Sequence, residues 1–280
     1  MSGSDVGLLA QGFSVVIPTW NNLPYLQLCV ASLRRYSAYP HELLVHVNDG
    51  RDGTLAYVRA EGLRHTHTPA NVGVCRAVNQ AAALATRPYL AYCNDDMVAL
   101  PDWDVALVAG ARRHGLPELA WLSATLIEGF GHHPLFLADG DRYNYGRTAA
   151  QFDEGRLLRD LPRLRTLKGD VQGSTAAPNL LRRTLWQRVG GFSEEFSPGA
   201  GSDPDLAKKL YDCGCRHFLG VGGSLLYHFG SVVMGRVRRN DGQGTFRRKY
   251  GLSIEQFVRD QLHRGQPWPS AAYPTAEGTP

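Results

Sequence analysis

The sequence predicts an α/β fold in which a mostly parallel sheet is flanked by helices, with a helical extension near the C-terminus. Strand-like and helix-like segments alternate through the first part of the chain and are joined by short loops. Such alternation is typical of parallel strands whose connecting helices cover both faces of the sheet. The 280-residue chain is 43% hydrophobic and 20% charged, which is enough apolar material for a complete core. We therefore expect one folded domain over residues 1–265.

Four strands are predicted in the first part of the chain. Each is a short run rich in apolar or β-branched residues, and the third is the weakest. They are Phe13–Ile17, Leu43–Val47, Arg64–Thr68 and Pro88–Cys93. Polar clusters follow the first, second and fourth strands. Because ligands bind beyond the carboxyl ends of the strands in such sheets, these clusters are predicted to meet in one site.

Helices are predicted where apolar residues recur at helical spacing between the strands. They are Leu23–Tyr36, Thr54–Ala60, Val74–Ala85 and a helix from Pro101 to about Arg113. The region from Glu128 to Lys168 has weak periodicity, and we expect a long excursion from the sheet there. Order returns with a helix at Arg183–Val189, a helix from Pro204 to Cys213 and a strand at Leu225–Phe229.

Cysteine content, hydropathy and charge exclude several classes of protein. The five cysteines form no CxxC pair and no Cys/His pattern, which argues against a disulfide framework and a structural zinc site. No apolar run approaches the ~18 residues that a membrane helix needs, and the N-terminus lacks the basic region of a secretory signal. A cytoplasmic location is therefore expected. The net charge is +4, and no helix or aromatic-rich sheet concentrates the basic residues, so nucleic acid is not an expected partner.

Three groups of residues are candidates for chemistry. Asp95 and Asp96 follow the fourth strand, where adjacent carboxylates can hold a hard cation together with phosphate oxygens; solvated loop acids are the alternative. Asp203 stands at the start of a predicted helix, where it is either a helix cap beside Pro204 or a catalytic carboxylate with one oxygen free. His228 ends a predicted strand and is either structural or a metal ligand.

Taken together, the segments resemble the family 2 glycosyltransferases of GT-A fold, over roughly residues 13–250. Seven segments carry the resemblance, in order and at the family's spacing. They are SVVIPTWNN (14–22), ELLVHVNDGRDGT (42–54), NVGVCRAVN (71–79), YLAYCNDDM (89–97), LLRRTLWQRVGGFSEEF (180–196), GSDPDLAKKL (201–210) and YHFGS (227–231). The resemblance implies an inverting enzyme that uses a nucleotide-diphosphate sugar.

The resemblance also implies roles for individual residues. Asp96 and His228 would hold Mn²⁺ or Mg²⁺ on the diphosphate, Asp95 would stand beside them, and Asp203 would be the general base. Arg236 would close over the diphosphate as part of a basic flap. The residues expected to bind the nucleoside are Pro18, Thr19, Trp20, Asn22, Asp49, Asn71, Gly73 and Arg76.

Two of these assignments have alternatives. The acidic turn after the second strand departs from the family pattern, so either Asn48 or Asp49 reads the base, and Asp49 is the residue we expect. Trp20 either packs against the base or belongs to the core. The resemblance also divides the domain into a nucleotide-binding half (13–125), an acceptor and catalytic half (126–230) and the basic flap with C-terminal helices (231–265). The Pro- and Ala-rich residues 266–280 are predicted to be a disordered tail.

The donor implied by the resemblance is a UDP- or dTDP-sugar, and the acceptor is a hydroxyl of a saccharide, glycolipid or other glycoconjugate. The expected setting is synthesis of a surface polysaccharide. Peripheral association of the protein with the inner face of the membrane is left open. A non-catalytic nucleotide-sugar or glycan-binding domain is one alternative. A nucleotidyltransferase of related fold is another, although Thr19–Asn22 lacks the Gly-rich basic loop that such an enzyme needs.

Overall fold

A computed structural model of the chain describes residues 7–230, 236 and 240–269. Its centre is a mixed sheet. The strands on its main path are β1 (Ser14–Trp20), β2 (Glu42–Asn48), β3 (Arg64–Thr68), β4 (Tyr89–Tyr92), β5 (Met97–Ala99), β6 (Ala120–Glu128), β10 (Asn179–Arg182) and β11 (His217–His228). Three short strands complete it: β7 (His132–His133), β8 (Leu137–Asp139) and β9 (Val171–Gln172).

The strand order on the main path is β3-β2-β1-β4-β10-β6-β11-β5. Strands β3, β2, β1 and β4 are parallel neighbours, and β6 is parallel to β11. Strand β10 runs antiparallel to both β4 and β6, so β6 and β11 point the same way as β4. Only β10 and β5 run against this direction on the main path. The predicted mostly parallel α/β sheet is confirmed.

Helices cover the sheet and extend the domain at its C-terminal end. They are α1 (Leu23–Tyr36), α2 (Thr54–Ala60), α3 (Val74–Ala82), α4 (Trp103–Arg113), α5 (Glu154–Leu164), α6 (Arg183–Val189), α7 (Ser202–Asp212) and α8 (Gly242–Tyr250). Short helical turns follow at Ile254–Gln256 and Phe257–Gln261. Helix α3 ends three residues before the predicted end, because the chain tightens into a turn in which Leu84 and Ala85 donate to Ala81 and Ala82.

The apolar residues form two clusters. The larger one fills the space between the sheet and its helices, and includes Ile17, Leu26, Val78 and Trp121. The smaller one lies under the excursion between β6 and β9, where Leu157 and other α5 side chains pack with residues of β6 and β11. Weak periodicity in this excursion therefore reflects irregular backbone rather than the lack of a core.

Two sequence expectations about the ends of the domain need comment. Gln266 accepts the backbone N–H of Gln172, and Trp268 is buried and donates its own N–H to Asp170. The prediction that disorder begins at residue 266 is therefore wrong, because these residues pair with the edge of the sheet. Residues 270–280 lie outside the described part of the chain. Most of the predicted flap also lies outside it, namely residues 231–235 and 237–239.

Two further expectations concern cysteines and membrane helices. All five cysteines are free thiols; Cys213 is exposed and the others are buried. Within the described ranges, no helix combines the length and apolarity that crossing a bilayer requires.

Candidate functional site

The candidate site is a cavity of about 260 Å³ at the carboxyl edge of the sheet. Strands β1, β2 and β4 end there, and the loop before α3 and the start of α7 close the sides. The sequence-predicted residues that line it are Pro18, Thr19, Trp20, Asn71, Gly73, Asp95, Asp96 and Asp203. Parallel strands bring these distant segments together because their carboxyl ends share one edge. Asn22, Asp49, Arg76, His228 and Arg236 do not line this cavity.

At the end of the cavity formed by β1 and β2, the lining residue is Asn48 rather than Asp49. The Asn48 side-chain oxygen accepts the N–H of Val72 at 2.9 Å and the hydroxyl of Thr68 at 3.1 Å. Asp49 points away, with φ at +63°, and accepts from Asn21 at 3.0 Å. The bond from Arg51 lowers the pKa of Asp49, and Asn21 lowers it further. Asn48, the alternative that the sequence left open, therefore lines the cavity, whereas Asp49, the residue that we expected there, lies outside it.

Trp20 lies at the mouth of the cavity and is half-buried. It is therefore a lining residue rather than a core residue. The Arg236 guanidinium lies 4.9 Å from the centre of its ring and donates to the carbonyls of Trp20 at 2.8 Å and Asn21 at 3.0 Å. Arg236 thus caps the end of β1, next to the cavity.

The loop before α3 forms one wall. Asn71 accepts the N–H of Gly73 at 2.9 Å. Gly73 has φ at +81°, and a Cβ there would lie 2.7 Å from the Ser197 hydroxyl, so only glycine fits both the conformation and the space. Arg76, in the first turn of α3, is exposed and does not line the cavity. Asn22 is buried, and its carbonyl begins α1 by accepting the N–H of Leu26 at 3.1 Å.

Two adjacent carboxylates, Asp95 and Asp96, form the floor of the cavity and are almost fully buried. Burial and the charge of Asp96 raise the pKa of Asp95 to about 7, although Thr19 and Asn22 oppose the rise. The Asp95 Oδ2 atom is buried and has no hydrogen-bond partner among the described residues. Buried carboxyl oxygens require compensation. The interpretation of these residues as solvated loop acids is therefore wrong.

His228 lies behind Asp96, because the antiparallel register of β11 on β5 pairs His228 with Met97. Its Nε2 atom is 3.4 Å from Asp96 Oδ1, and its Nδ1 atom is 2.6 Å from Glu128 Oε1. Burial lowers the pKa of His228, but Asp96 and Glu128 outweigh it and raise the pKa to about 10. The charge of His228 is thus coupled to that of Asp96 on the floor of the cavity and to that of Glu128.

Sequence reasoning missed Glu128. It is the last residue of β6, a strand that is buried throughout, and it is itself nearly buried. A carboxylate at the end of a mostly apolar run needs a polar or charged partner when it is buried, and this signal was present in the sequence. What the sequence lacked was the identity of the partner, His228, which is 100 positions away.

The residues at this point suit a divalent cation. Two ligands bound side by side at ~2.0–2.1 Å would lie roughly 3 Å apart, close to the separation of His228 Nε2 and Asp96 Oδ1. A histidine ligand commonly gives its other ring nitrogen to a carboxylate, as His228 does with Glu128. Within the described residues, no group of three or more His, Cys, Asp or Glu side chains forms a complete metal site. Any cation held here would therefore need further ligands from a bound phosphate group or water.

Asp203 lies in the first turn of α7 and lines the cavity. The helix is capped by Gly201, with φ at +86°, and no side chain makes the capping bond. The helix-cap interpretation of Asp203 is therefore wrong. Its Oδ1 atom is buried without a hydrogen-bond partner among the described residues. Burial raises the pKa of Asp203 to about 7, and the Arg264 guanidinium lowers it in part.

The neighbouring Asp205 is fully buried and fully partnered. It accepts from Lys249 at 2.8 Å, Tyr250 at 2.7 Å and Ser193 at 2.7 Å. These bonds join α7 to α8 and to the loop before α7. Asp205 therefore holds the start of α7 in place, and it has no oxygen left for a substrate proton.

Asp205→Ala is expected to destabilise the fold by about 2–3 kcal/mol, because it leaves the Lys249, Tyr250 and Ser193 donors without their acceptor. Urea unfolding measures this loss. Asp212→Ala is the matched control, because Asp212 is exposed at the end of the same helix and pairs with Lys208; it should cost about 0–1 kcal/mol. Equal stability of the two variants would contradict the structural role of Asp205.

Comparison with known proteins agrees with this architecture. Residues 14–117 match the family model described as "Glycosyl transferase family 2". The O-antigen biosynthesis protein RfbC of Myxococcus xanthus is 28% identical over 239 residues, which is 77% of this chain. The chain spans 26% and 17% of the lengths of the two curated relatives that it matches.

Two solved structures show the same fold. TarS 1–349 of S. aureus in complex with UDP-GlcNAc superposes with a TM-score of 0.56 at 17% identity, covering 79% of this chain and 61% of that chain. GalNAc-T7 with UDP, GalNAc and Mn²⁺ gives 0.56 at 16% identity, covering 83% and 45%.

The fold is that of the GT-A glycosyltransferases. Residues 14–117 match the family 2 glycosyltransferase model, so the resemblance that the sequence predicts is confirmed over that part of the chain.

Proposed function

We propose that the chain is an inverting glycosyltransferase that moves a sugar from a nucleotide-diphosphate donor to an acceptor hydroxyl. One observation carries the proposal: a single cavity joins the nucleoside-side residues Trp20 and Asn48, the carboxylates Asp95 and Asp96, and the isolated carboxyl of Asp203. A nucleotide sugar has the same order of parts, namely a base, a charged diphosphate and a sugar with a reactive carbon. The cavity thus offers each part a group of suitable chemistry.

The diphosphate of the donor would bind at the end of the cavity that holds Asp95 and Asp96. Asp96 and His228 would hold Mn²⁺ or Mg²⁺, and Glu128 would keep the His228 ring oriented. A divalent cation bound there would neutralise the charge that develops on the departing nucleoside diphosphate. Two of the structural neighbours, GalNAc-T7 and PcManGT of Pyrobaculum calidifontis, were solved with Mn²⁺ and a nucleotide or nucleotide sugar, which supports this assignment.

At the other end, Asp203 would accept the proton of the acceptor hydroxyl. Its carboxyl makes no helix-capping bond, has one oxygen without a partner among the described residues, and has a pKa raised to about 7. A base whose pKa lies near the working pH transfers protons efficiently. Attack by the activated hydroxyl from the side opposite the diphosphate would invert the configuration at the sugar carbon.

Thermal-shift measurements with UDP, dTDP, GDP and CMP, with and without Mn²⁺, test this proposal. We expect UDP or dTDP to stabilise the protein most, and only when Mn²⁺ is present. Saturation at 100-fold over Kd corresponds to about 2.7 kcal/mol. Stabilisation by no nucleoside diphosphate in the presence of Mn²⁺ would contradict the proposed function.

For the biological setting, we propose synthesis of a surface glycan on a saccharide, glycolipid or other glycoconjugate acceptor, at the cytoplasmic side of a membrane. The printed name of the Myxococcus xanthus relative, an O-antigen biosynthesis protein, supports this assignment. The basic flap around Arg236 stays a prediction. A non-catalytic binding domain remains the main alternative, and turnover of the Asp203 variant distinguishes it.

A further inference from the structure

A row of polar side chains crosses from β2 to β3 beside the cavity. His46 and Asn48 lie two positions apart on β2, so their side chains point to the same face of the sheet. In the parallel register, His46 lies beside Thr66, and Asn48 lies beside Thr68. On its other side Asn48 lies beside Trp20 of β1. Trp20 and Asn48 both line the cavity, so the row ends at the proposed nucleoside site.

The orientation of the Asn48 amide is fixed by its oxygen. The backbone N–H of Val72 lies 2.9 Å from that atom. A backbone N–H can only donate, so the atom that faces it must be the amide oxygen rather than the nitrogen. The Thr68 hydroxyl lies 3.1 Å from the same oxygen. Both bonds use the oxygen, which leaves the Nδ2 group and its two N–H donors for the cavity that Asn48 lines.

His46 fixes the Thr68 hydroxyl in turn. The ring is fully buried, with Nε2 3.1 Å from the Thr68 hydroxyl and Nδ1 2.7 Å from the Thr66 hydroxyl. The single hydroxyl hydrogen of Thr68 points toward the Asn48 oxygen and the Ala70 carbonyl, so Thr68 accepts from the Nε2–H of His46. Burial lowers the pKa of His46 to about 4, so the ring is neutral near pH 7 and its bare Nδ1 atom accepts from Thr66. The result is one directed chain of hydrogen bonds that ends at the Asn48 oxygen, which we call the His46 relay.

The nearest carboxylate along the chain, Asp49, is turned away from this end of the cavity. It accepts from Asn21 at 3.0 Å and pairs with Arg51 at 2.7 Å, outside the cavity. The side chains that β1 and β2 give to the cavity therefore include an aromatic ring, Trp20, and a donor amide, Asn48. A nucleobase has a face that packs on aromatic rings and carbonyl oxygens on its edge, so it matches both groups.

We propose that Asn48 recognises the base of the donor nucleotide by donating a hydrogen bond to a carbonyl oxygen on its edge, and that His46 positions the Asn48 amide through Thr68. This inference rests on the proposed function, because it assigns base recognition within the same cavity. Uracil and thymine carry two such oxygens, O2 and O4. A carboxylate at position 48 would face them with acceptors only, so the amide is a specificity-determining group.

Calorimetric titration of the full chain with UDP in the presence of Mn²⁺ tests the inference, with Asn48→Asp as the decisive variant. Aspartate keeps the shape of the side chain and still accepts the Val72 N–H, but it cannot donate. We expect UDP to bind Asn48→Asp about 10–100-fold more weakly than the wild type. If Asn48 only held the loop through Val72, the variant would bind UDP with wild-type affinity, and that result would overturn the inference.

Thio-substituted nucleotides separate loss of the donor from repulsion by the new charge. In 2-thio-UDP and 4-thio-UDP, sulfur, a weaker acceptor, replaces one carbonyl oxygen. We expect one of the two to bind the wild type about two- to tenfold more weakly than UDP, and to bind Asn48→Asp as well as UDP does. The analogue that shows this difference identifies the oxygen. A pure charge effect would weaken all three nucleotides equally, and the unchanged ratio would contradict the donor role of Asn48.

Two variants test the positioning role of His46. Thr68→Val removes the hydroxyl and keeps the branched shape of the side chain, and His46→Leu removes the ring that holds the hydroxyl. Each should lower UDP affinity about two- to tenfold and reduce the difference between UDP and its thio analogue, because the Asn48 amide is less well oriented. His65→Gln is the matched control on β3, since His65 bonds the Leu63 carbonyl instead, and it should change neither value. Wild-type values in both folded relay variants would remove His46 from the inference.

The inference and the proposed function fail in different ways. Failure of the wild type to bind any nucleoside diphosphate with Mn²⁺ would contradict the proposed function. Binding by the wild type, with equal affinity in Asn48→Asp, would contradict only the inference. If the wild type binds GDP rather than UDP, the same comparison is made with GDP, whose base also carries a carbonyl oxygen.

Discussion

Asp203→Asn is expected to lower sugar transfer by about 10²–10⁴-fold, the usual contribution of a positioned general base. Asparagine keeps the shape of the side chain but cannot accept a proton. Because Gly201 rather than Asp203 begins α7, the substitution removes no capping bond, and the fold should keep its stability. Nucleotide affinity should also survive, since the base contacts the acceptor. Turnover with a saturating donor and nucleotide titration together measure the two effects.

The pH dependence of wild-type turnover provides a second measurement of the same residue. The Asp203 carboxyl must be ionised to accept a proton, and burial raises its pKa to about 7. Turnover should therefore rise as the pH increases through about 7, and fall below it.

The matched control for Asp203 is Asp153→Asn. Asp153 begins α5 and accepts the N–H of Arg156 at 2.8 Å, so it is a helix-capping carboxylate remote from the cavity. This variant should keep wild-type turnover. Wild-type turnover by Asp203→Asn, with donor and acceptor established, would remove Asp203 from the mechanism and favour the binding-domain alternative.

His228→Ala and Asp96→Asn are each expected to abolish most of the Mn²⁺-dependent gain in UDP affinity, a loss of about 100-fold. Each removes one member of a pair: Asp96 on the floor of the cavity, or His228 behind it, whose Nε2 atom lies 3.4 Å from Asp96 Oδ1. Glu128→Gln should weaken Mn²⁺ binding by about 10–100-fold, the usual effect of removing the partner of a ligating histidine. Titration of UDP at fixed Mn²⁺, and of Mn²⁺ alone, measures both losses.

Protons are expected to compete with a metal ion for the His228 ring. The neighbouring carboxylates raise the pKa of His228 to about 10, and only the neutral ring can bind a metal ion, so Mn²⁺ affinity should fall as the pH is lowered. His132→Ala is the control, because His132 is exposed and pairs with Asp139. If chelation of metal leaves UDP affinity unchanged in the wild type, no metal acts at this site.

Local sequence determined most of the fold and the general position of the site. Strands β1 and β2 are apolar runs ended by turn residues, and α1 has apolar residues at helical spacing, so each could be predicted from a few neighbouring residues. Polar clusters at Trp20, Asn48 and Asp95 follow strands that share a direction. That direction alone places them at one edge.

Tertiary structure decided the contacts within the site. Glu128 and His228 meet because β6 and β11 are neighbours and β11 pairs with β5 in one register, and strand order and register depend on packing across the whole sheet. Backbone geometry turned Asp49 away from the cavity and left Asp203 free of the helix cap. Asp205 gained Lys249 and Tyr250 as partners, and Arg264 gained Thr175, from segments more than 40 residues away. A local sequence pattern cannot identify such distant partners, because a buried polar group forms hydrogen bonds with whichever groups the completed fold brings near.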